Sequence, residues 1–433
     1  MSDATGDKPF IQNWTEIATT QLRRDAMSIL EIGHETVMTG RVLREQLRME
    51  GDNICFGWDH VCLSDYDRVF VIAVGKCAVD AAKVLEDILG ERVSDGVVLD
   101  VKDGIFKRLR SYAGSHPFPS EENIGATQVI VDMLKGLTER DLVLTVISGG
   151  GSSLLCMPHE IECESLELIT KELWHHGANI KEVNTVRKHL SDIQGGQLAK
   201  IAYPAHIVSF IFSDVPGNDV SVVASGPTVL DLTTVDDAAK ILAKYDVLKA
   251  CRLANCNLVE TPKDPKYFEH VKNLLVVTNE MALNAMRKHA EGLGYNARVA
   301  SFSIAGNARD LGTELATMEL PRRACVIYGG ETTVQVRGNG RGGRNQELTL
   351  AAARAISDHR VVAALASDGW DNTDAAGAIA DAGDRKRAQE AGVIIDDYLA
   401  TNDSYNFWKK CGGAMRTGRT GINVADFYMV LTE

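Results

Sequence analysis

Leu142-Val143-Leu144-Thr145-Val146-Ile147 runs without a charge into Ser148-Gly149-Gly150-Gly151-Ser152-Ser153. A short apolar run closed by a glycine-rich polar loop reads as a strand buried on both faces and the turn that leaves it. The pattern recurs. Val69–Val74 ends in Gly75-Lys76, Ile207–Phe212 in Ser213–Asp219, Leu274–Val277 in Thr278-Asn279-Glu280, Ala324–Tyr328 in Gly329-Gly330-Glu331, and Val361–Ala366 in Ser367-Asp368-Gly369. Helix-periodic stretches lie between the runs, among them Ala78–Leu89, Ile124–Leu137, Leu166–His175, Ala238–Tyr245, Ala282–Glu291 and Glu347–Ile356. The alternation predicts an α/β fold with mostly parallel sheets and helices on their faces. Ligands in open α/β sheets bind outside the carboxyl ends of the strands. These loops therefore predict an enzyme whose site is assembled from many strand ends.

A chain of 433 residues exceeds one ordinary core. Cys251–Lys272 carries Pro262 and Pro265 without clean periodicity, which places a boundary there and predicts domains of 1–255 and 270–433. The segment from Asn402 is too short for a domain and must pack on one of the two, the first included. The formal charge of −13 is spread along the chain and excludes a nucleic-acid surface. No apolar run approaches the ~18–20 residues that span a bilayer. Met1–Asp7 lacks the basic and apolar regions of a signal peptide, so a cytoplasmic location is expected. Nine scattered cysteines, with no C-x-x-C, read as reduced core thiols.

Five loops carry chemistry. Ser148, Gly149, Gly150, Gly151, Ser152 and Ser153 suit a phosphate or carboxylate cradle, or else a tight strand-to-helix turn. Arg187 and Lys188, within Asn184–His189, are either a clamp for an acidic ligand or an exposed basic helix face. Asp214, Asn218 and Asp219 offer hard oxygens for Mg²⁺, although Asp, Asn, Pro and Gly also build Asx turns. Gly338, Gly340 and Gly343 spell G-x-G-x-x-G before a helix, the formal dinucleotide fingerprint. Arg341 and Arg344 interleave with these glycines and favour a clamp for a phosphate chain over a bare backbone cradle. Asp368, Asp371 and Asp374 crowd charge, which favours Mg²⁺, a bound polyol or both, or else they form a solvated acidic turn.

Together these stretches resemble one family, the glycerate 2-kinases with a carboxy-terminal MOFRL domain, sometimes labelled hydroxypyruvate reductases. The resemblance rests on Val74-Gly75-Lys76, Ser115-His116-Pro117-Phe118-Pro119, Ser148–Leu155, Val186–Ser191 with Gly195-Gly196, Ser213–Asp219 with Ala224–Thr228, Gly329–Thr333, Gly340–Glu347, Asp374–Ala378, and Asn402–Tyr405 through Thr417-Gly418. It implies a Rossmann-like amino-terminal domain, a smaller α/β carboxy-terminal domain and a site in the cleft between them. It implies ATP-dependent phosphorylation of D-glycerate at the 2-hydroxyl, giving 2-phosphoglycerate and ADP, with Mg²⁺ or another divalent cation. Lys76 and Arg344 fall where the family holds a lysine and an arginine to matter for activity. On this reading both stabilise the transferring phosphoryl group. The metal rests on some of Asp214, Asp219, Glu331 and Asp368, and Asp214 orients or deprotonates the hydroxyl. Ser148–Ser153 and Arg187 receive the carboxylate or phosphates, and Lys188, Asn218, Gly340, Arg341, Gly343 and Asn345 complete the substrate and ATP contacts. The partners expected are D-glycerate, neither nucleic acid nor membrane, with a homodimer left open.

This chain departs from the family pattern at Ser120, where an acid is usual, at the bulky Trp370, and at Arg419, where proline is usual. The competing reading is an NAD(P)H-dependent hydroxypyruvate or tartronate reductase, favoured by the G-x-G-x-x-G and opposed by its arginines. A non-catalytic sugar-acid or nucleotide sensor is a further alternative.

Overall fold

The computed structural model describes residues 9–57, 59–213 and 215–433. Two compact units result: Thr39–Val277, and a discontinuous unit of Met1–Met38 with Thr278–Glu433.

In the first unit the helix Thr39–Gln46 leads into an antiparallel meander, β1 (Leu47–Glu50), β2 (Asn53–Phe56) and β3 (Asp59–Cys62). Six parallel strands follow: β4 (Arg68–Val74), β5 (Val93–Asp100), β6 (Arg110–Ala113), β7 (Asp141–Ile147), β8 (His206–Phe212) and β9 (Val271–Val277). Their lateral order is β6-β5-β4-β7-β8-β9. The sheet thus grows one way from β4 to β6 and the other way from β7 to β9, which makes the β4/β7 gap its topological switch point. Every residue of β7, and all of β4 after Arg68, is buried, as an uncharged run covered on both faces requires. The helix Glu121–Leu134 sets Ile130 and Leu134, both fully buried, against Ile72, Val97 and Val143. Burying each such side chain stabilises by about 1.5–3 kcal/mol.

The second unit has a six-stranded mixed sheet: β10 (Asn296–Ile304), β11 (Ala324–Gly330), β12 (Arg360–Ala366), β13 (Gly377–Asp381), β14 (Ala414–Met415) and β15 (Asp426–Thr432). The order is β10-β11-β15-β12-β13-β14, and only the β10–β11 pair is parallel. The helix Gln21–Thr36 lies so tightly on Asn279–Gly292 that a Cβ at Gly33 would fall 2.6 Å from Met286 Cγ. Arg23, 2% exposed, pairs with Asp381 and Asp384.

The architecture differs from the sequence expectation in three places. Leu274–Val277 is the last strand of the first sheet, so the units part after Val277 and the proline-bearing stretch 251–272 is a connection within the first unit. Residues up to Met38 join the carboxy-terminal unit, because the apolar face of Gln21–Thr36 is complementary to a helix far along the chain. The segment from Asn402 packs on its own unit, where β15 enters the sheet between β11 and β12. Antiparallel insertion of a last strand leaves no trace in a βαβα rhythm, so the second sheet is mixed rather than mostly parallel.

Candidate active site

In the first unit the loops after β4 and β7 meet at the switch point. Gly75 has φ +120°, and a Cβ there would stand 2.0 Å from Ser148 Oγ. Glycine is required because the two loops touch. The Lys76 N–H donates to Gly149 O at 3.0 Å. Gly150, at φ +81°, carries Lys76 and His116 above it, since a Cβ there would be 3.1 Å from Lys76 Cγ and 3.2 Å from His116 Cδ2. The glycine turn thereby gathers Lys76, His116 and the Ser148–Ser153 loop. Cys77 follows, fully buried, and burial pushes its thiol up to about 12, so it is no nucleophile.

The Ser148–Ser153 loop is tied on every side. Asn123 donates to Ser153 O at 2.9 Å and to Ser115 O at 3.0 Å. Gln194 donates to Ser152 O and Leu155 O, both at 2.8 Å. Ser152 Oγ lies 3.0 Å from Ser225 Oγ, which donates to Asn184 Oδ1 at 3.1 Å. Ala224 and Ser225 hold φ values of +49° and +58°, rare for residues with a Cβ. That strain presses Ala224 onto Gly151, where an added Cβ would fall 2.6 Å from the alanine Cβ.

Arg187 and Lys188 part company. Lys188 is buried in an ion pair with Asp231 at 3.1 Å, with side-chain exposures of 7% and 3%. Asp231 thus balances its charge within the protein. Arg187 is half-buried and lines a small pocket with Ser152, Ser153, Pro117 and Thr170. Burial lowers its pKa; Glu167 shares the pocket, but no ion pair to Arg187 forms among the described residues. Asp214 lies outside the described residues. Asn218 has φ +57°, and the exposed Asp219 accepts from Ser221 N at 2.9 Å and Ser221 Oγ at 2.7 Å, an Asx turn whose bonds hold its carboxyl below the usual range.

In the second unit the ends of β11 and β12 and the start of β15 coincide, with Asp426 opposite both Gly330 and Ala366. Arg344, first residue of the helix Arg344–Ala355, donates to both Asp426 oxygens and, at 3.1 Å, to Glu331. Burial would lower its pKa, but the Asp426 and Glu331 charges outweigh burial and raise it. Asn345 is fully buried and donates to Asp426 at 3.0 Å; its backbone N–H goes to Asp371. Asp371 also accepts from Gln346 N at 2.9 Å, and burial lifts its carboxyl to about 6.

The glycines of the G-x-G-x-x-G serve packing within the protein. A Cβ on Gly338 would fall 2.6 Å from Thr401 O, on Gly340 2.6 Å from Asp403 Cα, and on Gly343 2.2 Å from Asp371 Cγ. Arg341 stacks on Tyr405 at 4.8 Å, and its N–H donates to Asp403 at 2.9 Å. Asp368, half-buried, accepts from Trp370 N at 3.0 Å.

A domain family described as a domain of unknown function, DUF4147, matches residues 25–256, and the MOFRL family matches residues 324–426. D-glycerate 2-kinase of Thermotoga maritima is 36% identical over 426 residues, covering 95% of this chain and 98% of that one. A crystal structure of glycerate kinase from the same organism superposes with a TM-score of 0.80 at 35% identity, over 95% of this chain and 99% of that one. The chain belongs to the glycerate 2-kinase family. A relative from Agrobacterium vitis, 36% identical over 84% of this chain and 87% of its own, is named a putative hydroxypyruvate reductase.

Within this glycerate 2-kinase chain the expected metal ligands Asp219, Glu331 and Asp368 do not gather into one cluster among the described residues. Among the described residues, the grouping of three His, Cys, Asp or Glu ligand atoms within 4.8 Å of one another is Glu172, His175 and His176, which does not include Asp219, Glu331 or Asp368. Single loop carboxylates fit an ion that keeps its waters and rides on nucleotide phosphates. Among the described residues no helix is long and apolar enough to cross a membrane. Sequence reasoning missed Asp426, whose signal was a carboxylate at the head of the apolar run Phe427–Leu431, and Asp231, which carried none.

Proposed function

We propose that this chain transfers the terminal phosphoryl group of ATP to the 2-hydroxyl of D-glycerate, giving 2-phosphoglycerate and ADP. The observation that carries it is Arg187: a half-buried guanidinium with no ion pair among the described residues, sharing a pocket with Ser152, Ser153 and Glu167 next to the Lys76 loop at the switch point. A planar guanidinium of this kind binds a carboxylate through two parallel bonds, and glycerate offers one.

In the transfer, the glycerate 2-oxygen bonds to the γ-phosphorus as the bond to the ADP oxygen breaks and the hydroxyl proton leaves to a base. Phosphoryl transfer needs position and charge neutralisation more than covalent help. Lys76, held over the glycine turn, takes charge on the phosphoryl oxygens, and Arg344 does so within its own unit. Arg344 enters this role already balanced by Asp426 and Glu331. Asp219 and Asp368 are the residues that would hold a Mg²⁺ ion arriving with the nucleotide, which would supply neutralisation of phosphate charge. Asp214 is the proposed base. The strand order of the first sheet supports a Rossmann-like use of its switch point, and the need for ATP supports a cytoplasmic setting.

The reductase reading loses its main support, because the glycines that spell a dinucleotide fingerprint are filled by Thr401, Asp403 and Asp371. The test is ATP with D-glycerate, the product passed directly to enolase. Immediate conversion is expected. A requirement for phosphoglycerate mutase overturns the regiochemistry, and NADH oxidation with hydroxypyruvate in the absence of ATP overturns the kinase.

A further inference from the structure

Trp370 and Arg419 lie on different loops of the second unit. The structure joins them: the Arg419 guanidinium sits 4.3 Å from the centre of the Trp370 ring. Trp370 remains 42% exposed. A tryptophan placed for packing would be covered, whereas this one shows its indole to solvent with a guanidinium laid against it.

The two loops are stitched by their backbones. Gly369, at φ +77°, stands so close to the second loop that a Cβ would be 1.9 Å from Gly418 O. Between the loops, Thr420 N donates to Asp368 O at 3.3 Å, Thr420 Oγ1 to Ser367 O at 2.6 Å, and Val424 N to Ser367 Oγ at 3.0 Å; within the first loop, Trp370 N donates to Asp368 Oδ1 at 3.0 Å. The exposed ring therefore rests on a fixed base and loses little freedom when a ligand covers it. One residue on, Asp371 binds the first turn of the Arg344 helix, so the ring adjoins the charge cluster at this end of the sheet.

We propose that Trp370 and Arg419 form a stacking platform for the purine base of the donor nucleotide. An aromatic face backed by a cation attracts flat, electron-rich rings whatever their edge pattern. The platform selects purines over pyrimidines by stacking area and does not separate adenine from guanine. The proposal rests on the kinase reading for the nucleotide's role, but base binding is measurable without turnover.

The experiment titrates the intact protein with MgATP, MgGTP, MgCTP and magnesium tripolyphosphate by calorimetry, and repeats each with Trp370→Ala, Trp370→Phe and Arg419→Ala. Trp370→Ala is expected to weaken ATP and GTP by about 5- to 150-fold. Trp370→Phe restores most of the affinity, Arg419→Ala costs less than Trp370→Ala, and tripolyphosphate binds all four proteins alike. In steady state the KM for ATP rises with that for glycerate unchanged. Unchanged ATP affinity in Trp370→Ala overturns the platform, as does an equal loss for tripolyphosphate or a rise confined to the KM for glycerate. If the base stacks as stated but glycerate is not phosphorylated, the acceptor assignment fails and the platform stands.

Discussion

Replacing Arg344 with alanine strips a cation from Asp426, a carboxylate whose side chain is 3% exposed. Breaking a buried ion pair by removing one partner destabilises by about 3–5 kcal/mol, because the other charge is left in place. Two features reduce that figure here. The arginine side chain is itself 33% exposed, and Asn345 and Tyr428 still donate to Asp426 at 3.0 and 3.1 Å. We expect a loss of about 2–4 kcal/mol. With Asp426→Asn in the background no buried charge remains, and the same substitution should then remove only about 1 kcal/mol, the scale of an ordinary hydrogen bond. Urea unfolding of the wild type, both single variants and the double variant closes the cycle, with an expected coupling of about 1–3 kcal/mol. Catalysis separates from stability in the same set. A lost transition-state contact lowers kcat on the order of 10²–10³-fold, in the double variant as much as in Arg344→Ala. Stability of Arg344→Ala within about 0.5 kcal/mol of wild type refutes the charge-pair reasoning. Near-wild-type kcat in the stable double variant removes Arg344 from the chemistry.

Arg187→Ala should raise the KM for glycerate about 10- to 150-fold, the scale of hydrogen bonds to a charged group, without lowering stability, since no described carboxylate depends on it; a clear drop in melting temperature contradicts this. Gly75→Ala forces a Cβ to 2.0 Å from Ser148 Oγ at φ +120° and should cost about 1–3 kcal/mol or more and most activity; a wild-type melting curve refutes the contact between these loops. Burial lifts the Asp371 carboxyl to about 6, above its unfolded value of about 3.9, so the folded chain holds the extra proton between these pH values. That contribution to stability is present below about pH 4 and fades as pH rises to about 6; the stability of wild type relative to Asp371→Asn should fall across this window, and parallel curves refute the shift.

The sheet of the first unit was legible because β4 after Arg68 and β7 after Asp141 are uncharged runs, and strands buried on both faces announce themselves without knowledge of their partners. The Gly75-Lys76 and Ser148–Ser153 loops were legible for a related reason: glycine that must let two backbones touch leaves a mark in the sequence. Close approach alone does not say what is approached. Gly338, Gly340 and Gly343 carry the same mark, yet they fit Thr401, Asp403 and Asp371 rather than a ligand. Neighbours in sequence also misled, since Arg187 and Lys188 point to different environments, and only Asp231, distant in the chain, explains the lysine. The place of Gln21–Thr36 was out of reach for the same reason, because an amphipathic face shows that a helix packs and not upon what.

The discontinuity of the second unit matters during synthesis. Gln21–Thr36 leaves the ribosome early, yet the helix it packs on begins at Asn279, after all of Thr39–Val277 has been made. At ~5–20 residues per second that wait is on the order of 10–50 s. Throughout it Ala26, Met27, Ile29 and Leu30, all fully buried in the finished protein, lack their partner. The middle unit holds its whole parallel sheet within one continuous stretch and is free to fold in that interval. The outer unit completes last, because β15, between β11 and β12, closes the sheet only when Asp426–Thr432 emerge. For this chain the period of greatest exposure to chaperones and proteases is thus set by topology: it opens with the first long helix and ends with the final strand.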